Sequence, residues 1–299
     1  MIGMRKVTIL TDGGSDLKTE IIDKYELTII PYRIIFGNDV YFTYGNDNTS
    51  ITRDEFYTRL AKCGKEDLPN TSIPSPGLMM KAFDEALTKS DSVLAILLSS
   101  NQSGTIDSAK RILENRYPDK DITIFDSNQI MSGIGVQVLY AAQLAAEGKS
   151  KEEIIAKLSE LNAQVRTIFV FQNLNYLYLG GRIGRAKKLM ATALNMNPVL
   201  YVDDGIMEGL GVLKKGKLIP QLKHYATNAV QNAKTNDIFL WHTRNEVIAD
   251  EIYQPMKEAN TTGKTIHYQE ASPLPAVYGG PNGLSITYIG DWDKKWLFS

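Results

Sequence analysis

The sequence predicts a two-domain α/β protein, and three observations carry that prediction. The chain has 299 residues and is 43% hydrophobic, which is enough apolar material for more than one core. In the first half, short β-branched runs alternate with helical patterns, as is typical of a parallel sheet covered by helices. In the second half, an Asp-Gly pair between two apolar runs predicts an antiparallel hairpin, and therefore a mixed sheet.

The first half of the chain contains four apolar runs that are typical of buried strands. These predicted strands are residues 6–10, 27–36, 92–99 and 121–127. The predicted helices are residues 53–62, 76–88, 104–116, 131–147 and 150–161. Ser75 followed by Pro76 marks one helix start, because serine caps the free N–H groups and proline fits the first helical position.

We place a domain boundary after Ala163, which gives domains of residues 1–163 and 164–299. The second domain has a different pattern of predicted strands and helices. The hairpin is predicted within residues 197–216, with Asp204 and Gly205 at its turn. The other predicted elements are strands at 167–171, 237–243 and 283–290, and helices at 217–233 and 245–259.

Composition excludes several classes of function. Lys plus Arg number 33 against 34 for Asp plus Glu, so no net charge favours nucleic acid as the main partner. Cys63 is the only cysteine, which excludes an internal disulfide and a cysteine metal site. The first apolar run, residues 7–10, is too short for a secretion signal, so we expect a cytoplasmic protein. We predict neither a metal nor a cofactor.

Small hydroxyl and turn residues follow the predicted strands of the first half. They form the segments TDGGSD (11–16), SSNQSGT (99–105) and DSNQ (126–129), and NTSIPSP (70–76) leads into a helix. Because ligands bind at the carboxyl ends of strands in open α/β sheets, these hydroxyls and the nearby helix starts predict an anion site. The alternative is that each segment is only a cap or a turn.

Known motifs do not identify the anion. SSNQSGT lacks the spacing and the lysine of a phosphate-binding P-loop, and GGRIG (180–184) lacks the spacing of a dinucleotide fingerprint. The chain has no GxSxG, and its histidines lie in or beside segments that look structural. The residues alone therefore leave open whether the site serves binding or catalysis.

Eight segments, in order over nearly the whole chain, resemble the DegV family of bacterial fatty-acid-binding proteins. They are TDGGSDL (11–17), IIPYRIIFGNDVY (29–41), TSIPSP (71–76), SSNQSGTIDSA (99–109), DSNQIMSG (126–133), LNYLYLGGRIG (174–184), LNMNPVLYVDDG (194–205) and GGPNGLSITYIG (279–290). The resemblance implies two α/β domains and a buried long-chain fatty acid. It also implies a carrier without catalysis of its own that delivers the acid to a fatty acid kinase, which makes acyl-phosphate for phospholipid synthesis. A transient membrane surface would be a further partner.

Carried over residue by residue, the resemblance places the carboxylate-holding threonine at Thr71 and the serine of the Ser-Gly-Thr motif at Ser103. The adjacent candidates are Ser72, Ser100, Gly104, Thr105 and Asp12. Two positions depart from the family pattern, because Gly13 stands where many relatives have serine and Tyr278 where many have histidine. Hydroxyls and helix starts would hold a carboxylate while leaving an oxygen open to a phosphoryl donor.

Arg182 is expected at the rim of the site, where it would meet the head group or the kinase. A bidentate arginine at the centre would instead occupy both carboxylate oxygens. The alternative for Arg182 is a helix-terminal arginine that bonds carbonyl groups. Two alternative functions would use the same cleft. The protein would be either an enzyme acting on a small acid or keto substrate, or a lipid-sensing regulatory protein.

Overall fold

The computed structural model describes residues 6–172, 174–191 and 196–298. The described chain divides into two compact units. The first contains the residues up to Ala163 together with Ser272–Leu274, and the second contains the remainder. Both units combine strands with helices, as the sequence predicts. The first two residues of the 194–205 segment lie outside the described residues.

The strands of the first unit are β1 (Thr8–Asp12), β2 (Thr28–Ile30), β3 (Tyr32–Phe36), β4 (Asp39–Thr43), β5 (Asn70–Ser72), β6 (Ser92–Leu97) and β7 (Asp121–Asp126). Its helices are α1 (Thr19–Lys24), α2 (Arg53–Leu60), α3 (Pro76–Lys89), α4 (Thr105–Arg116), α5 (Ser132–Ala146) and α6 (Lys151–Asn162). The remaining strands are β8 (Val165–Val170), β9 (Met196–Asp203), β10 (Ile206–Lys214), β11 (Asp237–Thr243), β12 (Thr265–Glu270) and β13 (Gly283–Ile289). The remaining helices are α7 (Asn175–Leu179), α8 (Leu218–Asn232), α9 (Glu246–Ala259), α10 (Pro273–Gly279) and α11 (Lys295–Phe298).

The main sheet of the first unit is parallel, with the strand order β2-β1-β6-β7. One face packs against α3 and α4, where Met79 and Phe83 of α3 are fully buried. The helices α5 and α6 also contact the sheet. Strands covered in this way are apolar along their whole length, which is why their sequence shows continuous apolar runs.

The single strand predicted over residues 27–36 is wrong, because Pro31 divides it into β2 and β3. Proline has no N–H to donate to a ladder, so it ends β2 at Ile30. The chain then enters a separate three-stranded antiparallel sheet with the order β4-β3-β5. This small sheet was not expected from the sequence, and it supplies part of the candidate site.

The second unit has a six-stranded mixed sheet with the order β10-β9-β8-β13-β11-β12. The predicted hairpin is confirmed, since β9 and β10 pair antiparallel around Asp204 and Gly205. Both turn residues have positive φ, 48° and 71°, as a tight hairpin of this kind requires. One face of the sheet packs on α8 and α9, with Tyr225 fully buried in that core.

Candidate ligand site

The candidate site lies at the carboxyl edge of the parallel sheet. Because β1, β6 and β7 are adjacent and parallel, the loops that follow them emerge at the same edge. Hydrogen bonds join these loops directly. The Leu98 N–H donates to Asp12 Oδ2 at 2.8 Å, and the Ser100 N–H donates to Asp126 Oδ2 at 3.2 Å. Three of the four predicted segments are thus brought together.

Asp12 shapes the loop after β1 from inside the protein. Its side chain is fully buried, and Oδ1 accepts the Gly14 N–H at 2.9 Å while Oδ2 accepts from Leu98. Burial raises the pKa of the Asp12 carboxyl from its ordinary value of 3.8 to about 7, and the two N–H donors oppose that rise. A Cβ at Gly13 would lie 2.4 Å from the Thr43 carbonyl oxygen, so this backbone has no room for a serine there.

Three hydroxyl groups meet where β6 leads into α4. Ser103 Oγ lies 2.8 Å from Thr105 Oγ1 and 3.2 Å from the Tyr32 hydroxyl, and the Tyr32 and Thr105 oxygens are 2.6 Å apart. Thr105 is fully buried, whereas Ser103 is half-buried and offers its oxygen at the surface of the site. We call Tyr32, Ser103 and Thr105 the hydroxyl cluster.

Sequence reasoning missed Tyr32, because it looks like an ordinary aromatic residue of a strand. It is the first residue of β3, and its partners are 71 and 73 positions away along the chain. A signal existed, since a buried tyrosine needs a partner for its hydroxyl. The sequence does not show which group supplies that partner.

The start of α4 adds backbone donors beside the hydroxyl cluster. Gly104 is the N-cap residue of this 12-residue helix, and no side chain caps it. The Thr105 N–H donates to Ser103 Oγ at 3.4 Å. The other N–H groups of the first turn have no partner within the helix and carry partial positive charge, so they favour an anion. The start of α3 differs, because Ser75 accepts the Leu78 N–H at 3.4 Å and Pro76 has no N–H.

Thr71 and Ser72 lie on β5 of the small sheet. Thr71 pairs with Ile34 and Ser72 with Arg33 of β3, which are two positions and one position after Tyr32. Both residues are half-buried. Among the described residues, no hydrogen-bond partner contacts the buried Ser72 Oγ. The pairing of β5 with β3 places the fourth segment beside the strand that carries Tyr32.

Arg182 and Tyr278 belong to the second unit, whereas the site residues described above belong to the first. The Arg182 guanidinium lies over the Tyr278 ring, with its carbon 5.2 Å from the ring centroid, and Nη1 donates to the Gly180 carbonyl at 2.9 Å. This contact is the one expected from the alternative interpretation of Arg182, in which it is a helix-terminal arginine that bonds a carbonyl group. The residue is exposed.

The glycines around Arg182 are explained by contacts within the chain. Gly181 has a φ of 71° and ends α7, where the Arg182 N–H reaches the Leu177 carbonyl at 2.9 Å and the Gly181 N–H reaches that of Tyr178 at 3.1 Å. A Cβ at Gly180 would lie 2.6 Å from the Tyr278 ring. The glycines therefore form a helix-ending turn and admit an aromatic ring of the same chain.

Neither a metal cluster nor a membrane span is found in the described parts of the chain. No group of three or more His, Cys, Asp or Glu residues there is arranged to hold a metal ion. In the same residues, no helix is both long and apolar enough to cross a bilayer.

Comparison with known proteins gives consistent matches along the chain. The DegV family model matches residues 6–291. A DegV domain-containing protein of Caldanaerobacter subterraneus subsp. tengcongensis is 31% identical over 287 residues, which cover 95% of this chain and 99% of that protein.

Solved structures share the fold over almost their whole length. A DegV family protein of Thermus thermophilus, described by its fatty acid binding, has a TM-score of 0.83 at 26% identity and covers 96% of this chain and 100% of its own. A stearic-acid-binding protein of Eubacterium ventriosum has a TM-score of 0.79 at 27% identity. The match covers 95% of this chain and 98% of that protein.

Proposed function

Because the chain belongs to the DegV family, we propose that it is a fatty-acid-binding carrier. It holds a long-chain fatty acid with the carboxylate at the carboxyl edge of the parallel sheet, and it presents that acid to a fatty acid kinase. The observation that carries the proposal is the hydroxyl cluster beside the uncapped start of α4. Similar solved proteins are described by their fatty acid binding, which supports the class of ligand.

Neutral donors suit a carboxylate that must later react. Hydroxyl groups and backbone N–H groups each bond one oxygen and leave lone pairs free, whereas an arginine fork takes both oxygens at once. In the proposed site, the groups that contact the carboxylate are hydroxyls of β5 and of the loop after β6, together with the backbone at the start of α4. These are Thr71, Ser72, Ser100, Ser103 and Gly104. Asp12, Gly13 and Thr105 hold the loops behind them.

The proposal gives this protein no catalysis of its own. A catalytic serine requires a neighbouring base that removes its proton. In the described part of the chain, the Ser103 hydroxyl bonds to two other hydroxyls rather than to a histidine or a carboxylate. This arrangement favours a binding role over an enzyme acting in the same cleft.

The kinase would meet the chain near Arg182. Four exposed cations follow α7 within seven residues: Arg182, Arg185, Lys187 and Lys188. Arg185 and Lys188 form ion pairs with Asp203 and Glu208. Attraction for phosphate groups, whether those of a nucleotide bound to a kinase or those of an anionic membrane, therefore rests mainly on Arg182 and Lys187. We place the kinase contact here and treat a transient membrane contact as an additional role of the same surface.

Replacing Arg182 tests the kinase contact. We expect Arg182→Ala to keep its lipid content and thermal stability while phosphate transfer to the bound acid slows at least tenfold, about 1.4 kcal/mol in the barrier. The assay is single-turnover phosphorylation of lipid-loaded protein by a cognate kinase. Lys223→Ala removes a half-buried cation of α8 that pairs with Glu251 at 3.1 Å, and it serves as the control. Equal rates for Arg182→Ala and wild type would leave Arg182 with only its role in the turn.

Native mass spectrometry of freshly purified protein tests the proposed ligand. We expect a mass increment for one long-chain fatty acid per chain, and organic extraction followed by chromatography should identify that acid. Recovery of only a nucleotide or a phosphate ester would contradict the proposed function. Protein purified after mild delipidation should regain the increment when a fatty acid is added back.

A further inference from the structure

The hydroxyl cluster contains three oxygen atoms, three protons and three contacts. Each pair of oxygens lies within hydrogen-bond distance: 2.6 Å for Tyr32 and Thr105, 2.8 Å for Thr105 and Ser103, and 3.2 Å for Ser103 and Tyr32. Each hydroxyl donates one proton. Without a ligand, the three protons can close a ring in which every hydroxyl donates to the next. In that ring no proton points outward.

A ligand can reach the ring only at Ser103. Tyr32 is 4% exposed and Thr105 is 0% exposed, whereas Ser103 is half-buried. A carboxylate has no proton and can only accept, so it takes the Ser103 proton as a donor. The longest contact, between Ser103 and Tyr32, then opens. The two shorter contacts remain as a directed run from Tyr32 to Thr105, from Thr105 to Ser103, and from Ser103 to the carboxylate.

Tyr32 suits the first position of this run. A phenol is more acidic than the alkyl hydroxyls of serine and threonine, so it is the better donor. Each hydrogen bond in such a run polarises the next one and strengthens it. The tyrosine ring is held in place by the pairing of Tyr32 with Thr43 in β4 and by 4% exposure, which fixes the hydroxyl beside Thr105.

We propose that Tyr32 is a positioning residue of the head-group site: it orients the Thr105 and Ser103 hydroxyls so that Ser103 donates to the carboxylate of the bound acid. The inference rests on the proposed function, because it requires a carboxylate ligand. Its consequence is that Tyr32 lowers the pKa of the bound acid without touching it, since a stronger donor to the ionised form favours that form.

The experiment measures the pKa of a bound fatty acid. Protein is loaded with palmitic acid labelled with ¹³C at the carboxyl carbon, and the carboxyl resonance is followed by NMR as the pH is varied. We expect Tyr32→Phe to retain one acid per chain and to raise the pKa of that acid by about 0.5 to 1 unit, as for the loss of one typical hydrogen-bond contribution. The matched control is Tyr117→Phe, whose hydroxyl bonds Asp84 Oδ1 at 2.7 Å elsewhere in the same unit. It should leave the pKa unchanged.

Variants of Thr105 test the path through the run. Thr105→Val removes the middle hydroxyl and should raise the pKa of the bound acid as Tyr32→Phe does, whereas Thr105→Ser restores the hydroxyl and the wild-type value. The double variant Tyr32→Phe with Thr105→Val should shift the pKa no further than the larger single change, because both act on one run. If Tyr32→Phe does not fold, the comparison of Thr105→Val with Thr105→Ser tests the inference by itself.

Different results separate this inference from the proposed function. If wild-type protein binds no palmitic acid, the proposed function fails. If the acid binds and its pKa is the same in wild type and Tyr32→Phe, Tyr32 has only a packing role and the inference is overturned. Equal pKa values for Thr105→Val and Thr105→Ser would overturn it as well.

Discussion

Asp12 is a buried carboxyl group whose protonation should couple stability to pH. Its pKa is about 7 in the folded protein against an ordinary value of 3.8, because burial disfavours the charged form. Between these two values the folded chain holds a proton that the unfolded chain has released. The free energy of unfolding contributed by Asp12 is therefore fully present below about pH 4 and decreases as the pH rises toward 7.

We predict that the stability advantage of wild type over Asp12→Asn is larger at pH 5 than at pH 8 by about 2 to 3 kcal/mol. About two pH units separate pH 5 from the folded pKa, at about 1.4 kcal/mol per unit. Asparagine does not titrate, and it can accept only one of the two N–H groups. Urea unfolding at both pH values measures the difference. Asp121→Asn is the control, because Lys151 lowers the pKa of Asp121 and its contribution is lost only at lower pH. The same advantage at both pH values would show that Asp12 does not titrate in this window.

For Ser103, the proposed function predicts how the head group and the acyl chain of the ligand would share the binding energy. Burying roughly 14 methylene groups at about 0.8 kcal/mol each gives a gross term near 11 kcal/mol before the costs of association. One hydrogen bond to a charged group contributes only about 1.5 to 3 kcal/mol. We therefore predict that Ser103→Ala and Thr71→Val retain the lipid and slow phosphate transfer to it.

Lipid content by extraction and single-turnover phosphorylation measure the two effects of these substitutions. Ser108→Ala, which removes a half-buried hydroxyl further along α4, provides the control and should leave both properties unchanged. Complete loss of lipid with an intact circular dichroism spectrum would show that the head group dominates binding.

At the scale of elements, the sequence predicted those whose signals are local. The Asp204-Gly205 turn and the Ser75-Pro76 helix start each depend on neighbouring residues, and the structure has both. The prediction of a single strand over residues 27–36 was wrong, because the apolar pattern continues through Pro31 although the strand ends before it. The small sheet depends on β3 pairing with β5, whose partners are about 37 residues apart along the chain, and no local pattern records such a pairing.

The candidate site shows the same division between local and distant information. The loops after β1, β6 and β7 were predicted to converge because parallel strands share an edge. The role of Tyr32 and the lack of room for a Cβ at Gly13 could not be predicted. The first depends on a contact between side chains 73 residues apart, and the second on the distance from Gly13 to the Thr43 carbonyl of β4. The sequence therefore predicts which edge of the sheet holds the site, whereas only the structure shows which hydrogen-bond donors lie there.

The turn after α7 carries a prediction about close packing. An added Cβ at Gly180 would lie 2.6 Å from Tyr278 Cδ1, a distance at which one of the two must move. We expect Gly180→Ala to lower the free energy of unfolding by about 1 to 3 kcal/mol, the usual cost of overpacking. Urea unfolding measures this change. Gly216→Ala adds the same methyl group where no heavy atom lies within 4 Å, and it should change stability by less than about 0.5 kcal/mol.

Removing the ring should relieve the clash. In a Tyr278→Ala background, Gly180→Ala should cost less than it does in wild type, because the contact no longer exists. An equal cost in both backgrounds would mean that the destabilisation arises from the backbone of the turn rather than from Tyr278.

At the scale of the whole molecule, the two units carry different parts of the proposed function. The first unit holds the hydroxyl cluster and the uncapped start of α4, while the second holds Arg182, Tyr278 and the exposed cations after α7. A carrier needs both an anion site that keeps the carboxylate available and a surface that a kinase recognises. The hydroxyl cluster meets the first requirement with neutral donors.

The crystal structure of the protein loaded with a long-chain fatty acid tests the central claim most directly. We predict a carboxylate oxygen within about 3.2 Å of Ser103 Oγ, with the other oxygen toward the β5 hydroxyls or the first N–H groups of α4. The 2.6 Å contact between Tyr32 and Thr105 should persist, and the 3.2 Å contact between Ser103 and Tyr32 should lengthen. A carboxylate held in a bidentate pair by Arg182, or one that makes no contact with Ser103, would contradict the account.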